Sequence, residues 1–160
     1  MVQKILIFKI YFLILLFSNS LLYAKIIIGK AKIIDGDTIH INQNKIRLHG
    51  IDAPERNQQC TYRSKKWLCG KQSTLELKKI INNQIIKCQT LDVDKYKRYV
   101  ANCYINNLNI NQIMVQKGWA IAYRFYSKDY VDDENYAREN KFGIWKGEFE
   151  YPYKFRKKIK

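Results

Sequence analysis

Residues 25–51 read KIIIGKAKIIDGDTIHINQNKIRLHGI. Within them KIIIGKAKII, TIHIN and KIRLHGI are rich in isoleucine, and the DGD and NQN clusters between them are made of residues that turn a chain. The stretch predicts three short strands in meander order. On the third, alternation sets Ile46 and Leu48 on one face and Arg47 and His49 on the other. One face goes to a core, which leaves Arg47 directed away from it.

Downstream, a polar loop from Glu55 to Cys69 leads into KQSTLELKKIIN, where Leu75, Leu77, Ile80 and Ile81 form an apolar stripe compatible with a helix. Two more strands are expected, Ile85 to Leu91 and Tyr99 to Ile105. INQIMVQKGW then reads as a short helix ending near Gly118, and VDDENYARENKFGIW as another ending near Gly143. Five strands with a helix after the third predict an α+β, mainly β fold: a five-stranded barrel of the oligonucleotide- and oligosaccharide-binding (OB) type with about three helices.

Upstream, MVQKILIFKIYFLILLFSNSLLYA has a positive start at Lys4, an apolar run from Ile10 to Phe17 and small polar residues at Ser18 to Ser20. Residues 1–24 are expected to be a secretory signal cut after Ser20 or Ala24, the alternative being an uncleaved N-terminal anchor. The expected location is secreted or periplasmic, or else membrane-anchored with the domain outside the cytoplasm. All four cysteines follow this segment, an even number in a compartment that permits disulfides. Cys60 and Cys69 bracket a short segment, and Cys88 and Cys103 lie on strand-like runs that a hairpin would set opposite one another. The expected pairs are therefore 60 with 69 and 88 with 103. Zinc fits poorly, because neither His40 nor His49 completes a ligand pattern. Residues 25–146 are expected to form the domain, and 147–160, ending in YPYKFRKKIK, a basic aromatic tail for which trailing in solvent is favoured over packing.

A chain of 160 residues suits one domain, and 47% hydrophobic with 27% charged residues suits a folded one. Lys and Arg number 29 against 14 acidic residues, a net +15, which attracts polyanions by counterion release and steering. In that basic field two segments gather acids: DGDT at 35–38 and IRLHGIDAPE at 46–55. The meander allows Asp37 and Asp52 to converge at one rim. Paired carboxylates repel unless a cation joins them or one keeps its proton. Oxygen donors of this kind suit Ca2+ or Mg2+ rather than a thiophilic metal.

Glu55, on a turn stiffened by Pro54, is a candidate to take a proton from water. Arg47, and Arg98 of DKYKR at 94–98, are candidate forks for phosphate oxygens. Lys95, Tyr96 and Tyr123 are candidate contacts to flanking nucleotide. Together these parts suit attack on a phosphodiester. Singly each has an ordinary structural reading: DGD as a turn, Arg47 as a surface cation, DKYKR as a solvated loop.

The order IIDGDTIHI, IRLHGIDAPE, DKYKR, KGWAIAYRFY and NKFGIWKG closely resembles the staphylococcal nuclease family over roughly Lys25 to Lys146. QQC, WLCGK, the later cysteine pair and the Tyr-rich end resemble a secreted bacterial branch of it. The resemblance implies a five-stranded OB barrel with three helices. It also implies a Ca2+-dependent nuclease of low sequence specificity that cleaves DNA and RNA and leaves 3′-phosphate ends. It further implies Asp37 and Asp52 as metal carboxylates, with the main-chain carbonyl of Ala53 completing the set where the family often has Thr. Glu55 matches the catalytic carboxylate, Arg47 and Arg98 the phosphate-binding arginines, Asp35 an acid behind the metal ligands, and Tyr123 a nucleotide contact. Phe125 and Tyr126 compete for the place of a second tyrosine. Lys97 stands where the family usually has glycine, at a cost of about 1 kcal/mol if the turn needs a positive φ. A barrel that binds nucleic acid without cutting it is the alternative, and retention of Asp37, Asp52, Glu55, Arg47 and Arg98 argues against it. A third class, an anchored surface protein binding anionic lipid or polysaccharide, rests only on charge and the apolar N-terminus. No protein partner is implied, and nothing demands more than a monomer.

Overall fold

The computed structural model describes residues 25–159, so the signal or anchor read in residues 1–24 lies outside the described residues. Strands β1 (Ile26–Ile33), β2 (Thr38–Ile41) and β3 (Asn44–Leu48) form the expected antiparallel meander, with Ala31 opposite Ile41 and Ile39 opposite Ile46. The chain continues through β4 (Ile51–Asp52), β5 (Cys60–Tyr62) and β6 (Lys65–Trp67) into helix α1 (Cys69–Ile81). Strand β7 (Ile85–Val93) pairs with the first half of β1, and β8 (Tyr99–Ile105) returns along β7. β8 also lies parallel to β3, with Ile46 beside Tyr99 and Leu48 beside Ala101. That last pairing closes β1, β2, β3, β7 and β8 into a five-stranded barrel of OB type.

Period-two patterning explains the closure, because each strand gives alternate side chains to one interior. Ile39, Ile41, Ile46, Leu48, Ile86, Cys88, Ala101 and Cys103 are all buried there. Cys88 and Cys103 face each other in the β7–β8 register and form a disulfide; Cys60 and Cys69 form the other. Helix α1 closes the barrel with Cys69, Ser73, Leu77 and Ile81, spaced every fourth residue. Leu75, counted in the expected stripe, stands two positions from Leu77 and so points the other way, into solvent.

Beyond the barrel lie β9 (Leu108–Asn109), α2 (Ile110–Gln116), β10 (Ile121–Ala122), α3 (Val131–Glu139) and a 3-10 turn at Gly143–Lys146. The Asn109 side chain caps α2 by accepting from the Gln112 N–H at 3.2 Å.

The expectation that the end of the chain trails in solvent is corrected. Helix α4 (Pro152–Lys158) is formed, and the residues leading to it pack on the domain. A small second core explains why. Cys60, Cys69, Ile121 and Ile144 are buried together, and Trp67, Trp119, Trp145, Phe149, Tyr151 and Tyr153 pack around them. Thr61 and Glu148 exchange two main-chain hydrogen bonds of 2.8 Å each, and the Gln58 side chain donates to the Glu150 carbonyl at 2.6 Å. The aromatic residues of the tail thus have an apolar surface to cover, which composition alone did not reveal.

Candidate active site

DGDT is both a turn and part of an acidic cluster. The Asp37 N–H donates to the Asp35 carboxylate at 3.0 Å, the local bond that tightens an Asx turn. Between them Gly36 is required by contact: a Cβ there would lie 2.1 Å from the Ser73 hydroxyl and 2.6 Å from the Ala53 methyl. The turn is therefore pressed against α1 and β4, and Asp37 is carried inward. Asp37 is 2% and Asp52 0% exposed.

Arg47 joins the two acids. Its Nη1 pairs with Asp37 Oδ1, and its Nη2 donates to Asp52 Oδ1 at 2.9 Å. The register explains this reach, since Arg47 lies opposite Thr38 across the β2–β3 pair and its chain neighbours Ile46 and Leu48 occupy the core. Asp37 is further held by the Ala53 N–H at 2.7 Å and by the Thr38 hydroxyl at 3.1 Å. Burial and the neighbouring Asp37 push the Asp35 carboxyl up to about 7, and the same two causes push Asp52 upward. For Arg47, the two aspartates outweigh burial and keep the guanidinium charged.

Glu55 lies on the turn that abuts the start of α1. A Cβ at Gly70 would come within 1.6 Å of the Glu55 carbonyl, so glycine lets the helix approach that turn. A second guanidinium meets Glu55 here. Arg156 of α4 donates from Nη1 to Asp52 Oδ1 at 2.8 Å and Glu55 Oε1 at 2.9 Å, and from Nη2 to Asp52 Oδ2 at 3.2 Å. Burial works against the charge on Arg156, but the Asp52 and Glu55 carboxylates raise its affinity for the proton further.

Arg98 approaches from the opposite side. Its Nε and Nη2 are clamped by Asp94 Oδ2 at 2.8 and 2.7 Å, while Nη1 reaches the Thr38 hydroxyl at 3.5 Å. Asp94 also accepts the main-chain N–H groups of Tyr96 and Arg98, both at 2.9 Å. Those bonds hold the Asp94 carboxyl below its ordinary value against the opposing effect of burial. Lys97 in this turn adopts φ 60°, the left-handed conformation that glycine takes most easily. Arg98 also lies over the Tyr96 ring, at 5.5 Å from its centroid.

A cleft of about 760 Å3 adjoins the acids, lined among others by Lys95, Tyr123, Arg124, Tyr153, Arg156 and Lys157. Its described lining carries several cations and no carboxylate. Tyr123 and Tyr153 stack with ring centroids 6.2 Å apart, and burial followed by nearby Asp52 raises the Tyr123 hydroxyl above its usual range. Phe125 and Tyr126 present exposed rings nearby, 81% and 67% accessible.

The structure thus brings Asp37, Asp52, Ala53, Arg47 and Glu55 together, sets Arg98 beside Thr38 at the rim, and puts Lys95 and Tyr123 on the adjoining cleft. Among the described residues no three His, Cys, Asp or Glu side chains are arranged as a complete metal cluster. Sequence reading missed Arg156, Tyr153 and Gln58. Arg156 is one cation among many in FRKKIK, and only the packing of the preceding aromatics aims it inward.

Comparison with known proteins gives a consistent result. A family model described as staphylococcal nuclease homologue matches residues 45–147, ending before α4. The succinoglycan biosynthesis protein ExoI of Rhizobium meliloti (strain 1021) is 31% identical over 141 residues, 86% of this chain and 74% of that protein. An "Uncharacterized endonuclease" of Escherichia coli O157:H7 is 32% identical, over 81% of this chain and 84% of its own. The micrococcal nuclease of Shigella flexneri is 31% identical, over 81% and 79% respectively.

Proposed function

Because the chain belongs to the staphylococcal nuclease family, we propose that it is an exported, Ca2+-dependent nuclease that hydrolyses phosphodiester bonds of DNA and RNA with low sequence specificity. The observation that carries this reading is the Arg47 guanidinium spanning two buried carboxylates, with Glu55 beside them at the mouth of a cationic, aromatic cleft.

The donor chemistry fits a hard divalent cation. Asp37 and Asp52 offer only oxygen, both are buried, and Asp52 is pushed toward protonation despite two guanidinium partners. Buried oxygen donors of this kind suit Ca2+ or Mg2+ rather than a thiophilic metal. Asp37, Asp52 and the main-chain carbonyl of Ala53 would hold Ca2+, with water completing its shell. When bound, the ion supplies positive charge that polarises a phosphoryl oxygen.

The remaining steps use this chain's own groups. Arg47 on β3 and Arg98 in the turn before β8 bind the non-bridging oxygens, neutralising the charge that grows as water attacks. Glu55 takes the proton of that water. Lys95, Tyr96 and Tyr123 hold the flanking nucleotide, the cation through phosphate and the rings by stacking. The P–O5′ bond breaks, the 5′ oxygen takes up a proton from solvent water, and a 3′-phosphate is left. Residues 1–24 direct export, and the domain works as a monomer. Among the described residues no helix is long and apolar enough to cross a membrane.

The test incubates purified protein with single-stranded DNA, duplex DNA and RNA, in Ca2+ or in EDTA, and identifies the product ends. Cleavage in Ca2+ with 3′-phosphate ends, abolished by EDTA, is expected. Intact nucleic acid under all conditions overturns the proposal. An acidic polysaccharide belongs in the same assay, since one relative is named for succinoglycan biosynthesis.

A further inference from the structure

Asp52 is fully buried, and both its oxygens are already in use. Oδ1 accepts from Arg47 at 2.9 Å and Arg156 at 2.8 Å, and Oδ2 accepts from Arg156 at 3.2 Å. The same Arg156 nitrogen reaches Glu55 Oε1 at 2.9 Å. One side chain from the end of the chain thus engages a proposed cation ligand through both oxygens and the proposed base through one.

We propose that α4 is a latch on this site: Arg156 serves as an internal counter-ion for Asp52 and Glu55, and a divalent cation binds by displacing it. The inference rests on the nuclease reading for the roles of Asp52 and Glu55. Its physical basis is competition for the same lone pairs. A divalent ion sits about 2.3–2.6 Å from a carboxylate oxygen, which would put two positive charges next to a guanidinium already on that oxygen. Asp52 Oδ1 also carries Arg47, which Asp37 holds in the barrel, so the repulsion is relieved by withdrawal of Arg156, whose bonds occupy Oδ2 as well.

The rest of α4 is built to let go. It has seven residues, too few to hold a helix without tertiary contacts. Its start is fixed by buried Pro152 and by Tyr151 and Tyr153 in the second core. Toward its end, Lys154 and Lys157 are exposed, Phe155 is half-buried, Lys158 makes an exposed ion pair with Glu150 at 2.7 Å, and Arg156 makes the contact with the barrel. Withdrawal of one side chain and the last turn therefore frees the carboxylates while the aromatic anchor stays in place. α4 lies beyond residues 45–147, the segment that the family model matches.

The test measures Ca2+ binding by calorimetry without nucleic acid, for the natural protein, Arg156→Gln and Arg156→Lys. Arg156→Gln is expected to bind Ca2+ about tenfold more tightly, because the competent state no longer competes with a closed one; Arg156→Lys, keeping the charge but not the fork, is expected to fall between. In the cleavage assay the Ca2+ concentration for half-maximal rate should fall by the same factor, with turnover at saturating Ca2+ retained. Hydrogen exchange on the natural protein needs no variant: Ca2+ should speed exchange in residues 154–158. Unchanged or weaker Ca2+ affinity in Arg156→Gln, or binding by none of the three proteins, overturns the latch. So does lost turnover at saturating Ca2+, which would make Arg156 a phosphate ligand. Tighter Ca2+ binding without any cleavage leaves the latch standing and removes the nuclease reading instead.

Discussion

Gln58 and Glu55 hold each other by two bonds: the Gln58 N–H donates to the Glu55 carbonyl at 2.7 Å, and the Glu55 N–H donates to the Gln58 side-chain oxygen at 3.2 Å. Gln58 is 0% exposed, and its amide nitrogen continues to the Glu150 carbonyl. One buried amide thus sets the turn that aims Glu55 and fastens the segment that leads to Arg156. Gln58→Leu keeps the bulk but strands the Glu55 N–H and the Glu150 carbonyl. A loss of about 2–3 kcal/mol in denaturant unfolding is expected, with a fall in turnover beyond what the lost folded fraction explains. Unaltered turnover per folded molecule would make Gln58 a purely structural residue.

Arg47 and Glu55 should respond differently to substitution. From their proposed roles alone, both Arg47→Ala and Glu55→Gln would lower turnover with the fold intact. The structure changes the first expectation, because Arg47 is the counter-ion of two buried aspartates. Removing it leaves Asp52 with Arg156 but Asp37 buried without its ion pair, which costs about 3 kcal/mol. Glu55 is partly exposed and carries a single ion pair, so Glu55→Gln should unfold near the natural midpoint while turnover falls about 10²–10⁴-fold. Paired thermal melts and initial rates for the two variants check this, and a stable Arg47→Ala would contradict the burial argument.

Why the barrel was legible and the latch was not follows from the range of the signals. Ile39, Ile46 and Leu48 announce their faces by alternation, and Cys88 and Cys103 announce their register by lying on two runs joined by a turn-rich stretch. DGDT and IRLHGIDAPE carry the acids and Arg47 within two neighbouring segments, so the meander alone brings them together. Arg156 lies 104 residues from Asp52. No local period connects them; the link is the second core, where tail aromatics meet Trp67 and the Cys60–Cys69 pair. Leu75 fails for the converse reason: the apolar stripe was read from local spacing, while the barrel, not the sequence period, decides which side of α1 is covered.

The two disulfides should separate stability from function. Cys88–Cys103 ties adjacent barrel strands across 15 residues, and loss of such a loop constraint costs about 3 kcal/mol. Cys60–Cys69 spans nine residues and sits in the core that holds the tail. Cys88→Ala with Cys103→Ala should lower the melting temperature while leaving the Ca2+ dependence of the folded protein unchanged. Cys60→Ala with Cys69→Ala should also shift the Ca2+ concentration needed for cleavage, because it loosens the seat of α4. Equal shifts in both pairs would disconnect the second core from the site.

Lys97 offers the most direct test of a backbone effect. It adopts φ 60° between Asp94, which clamps the turn, and Arg98, which the turn presents to Thr38. A lysine pays a steric cost in this conformation that glycine avoids, whereas glycine adds freedom to the unfolded chain. The first effect is about 1 kcal/mol and the second somewhat less, so Lys97→Gly should be neutral to slightly stabilising in urea unfolding. Lys97→Val carries the same backbone demand with a branched Cβ and should lose about 1 kcal/mol or more. If Arg98 depends on this turn for its aim, Lys97→Val should raise KM for oligonucleotide more than it lowers kcat, because a misdirected fork weakens phosphate binding before it touches the water-activating group. Equal stability of the glycine and valine variants would show that the turn does not require the left-handed conformation in solution.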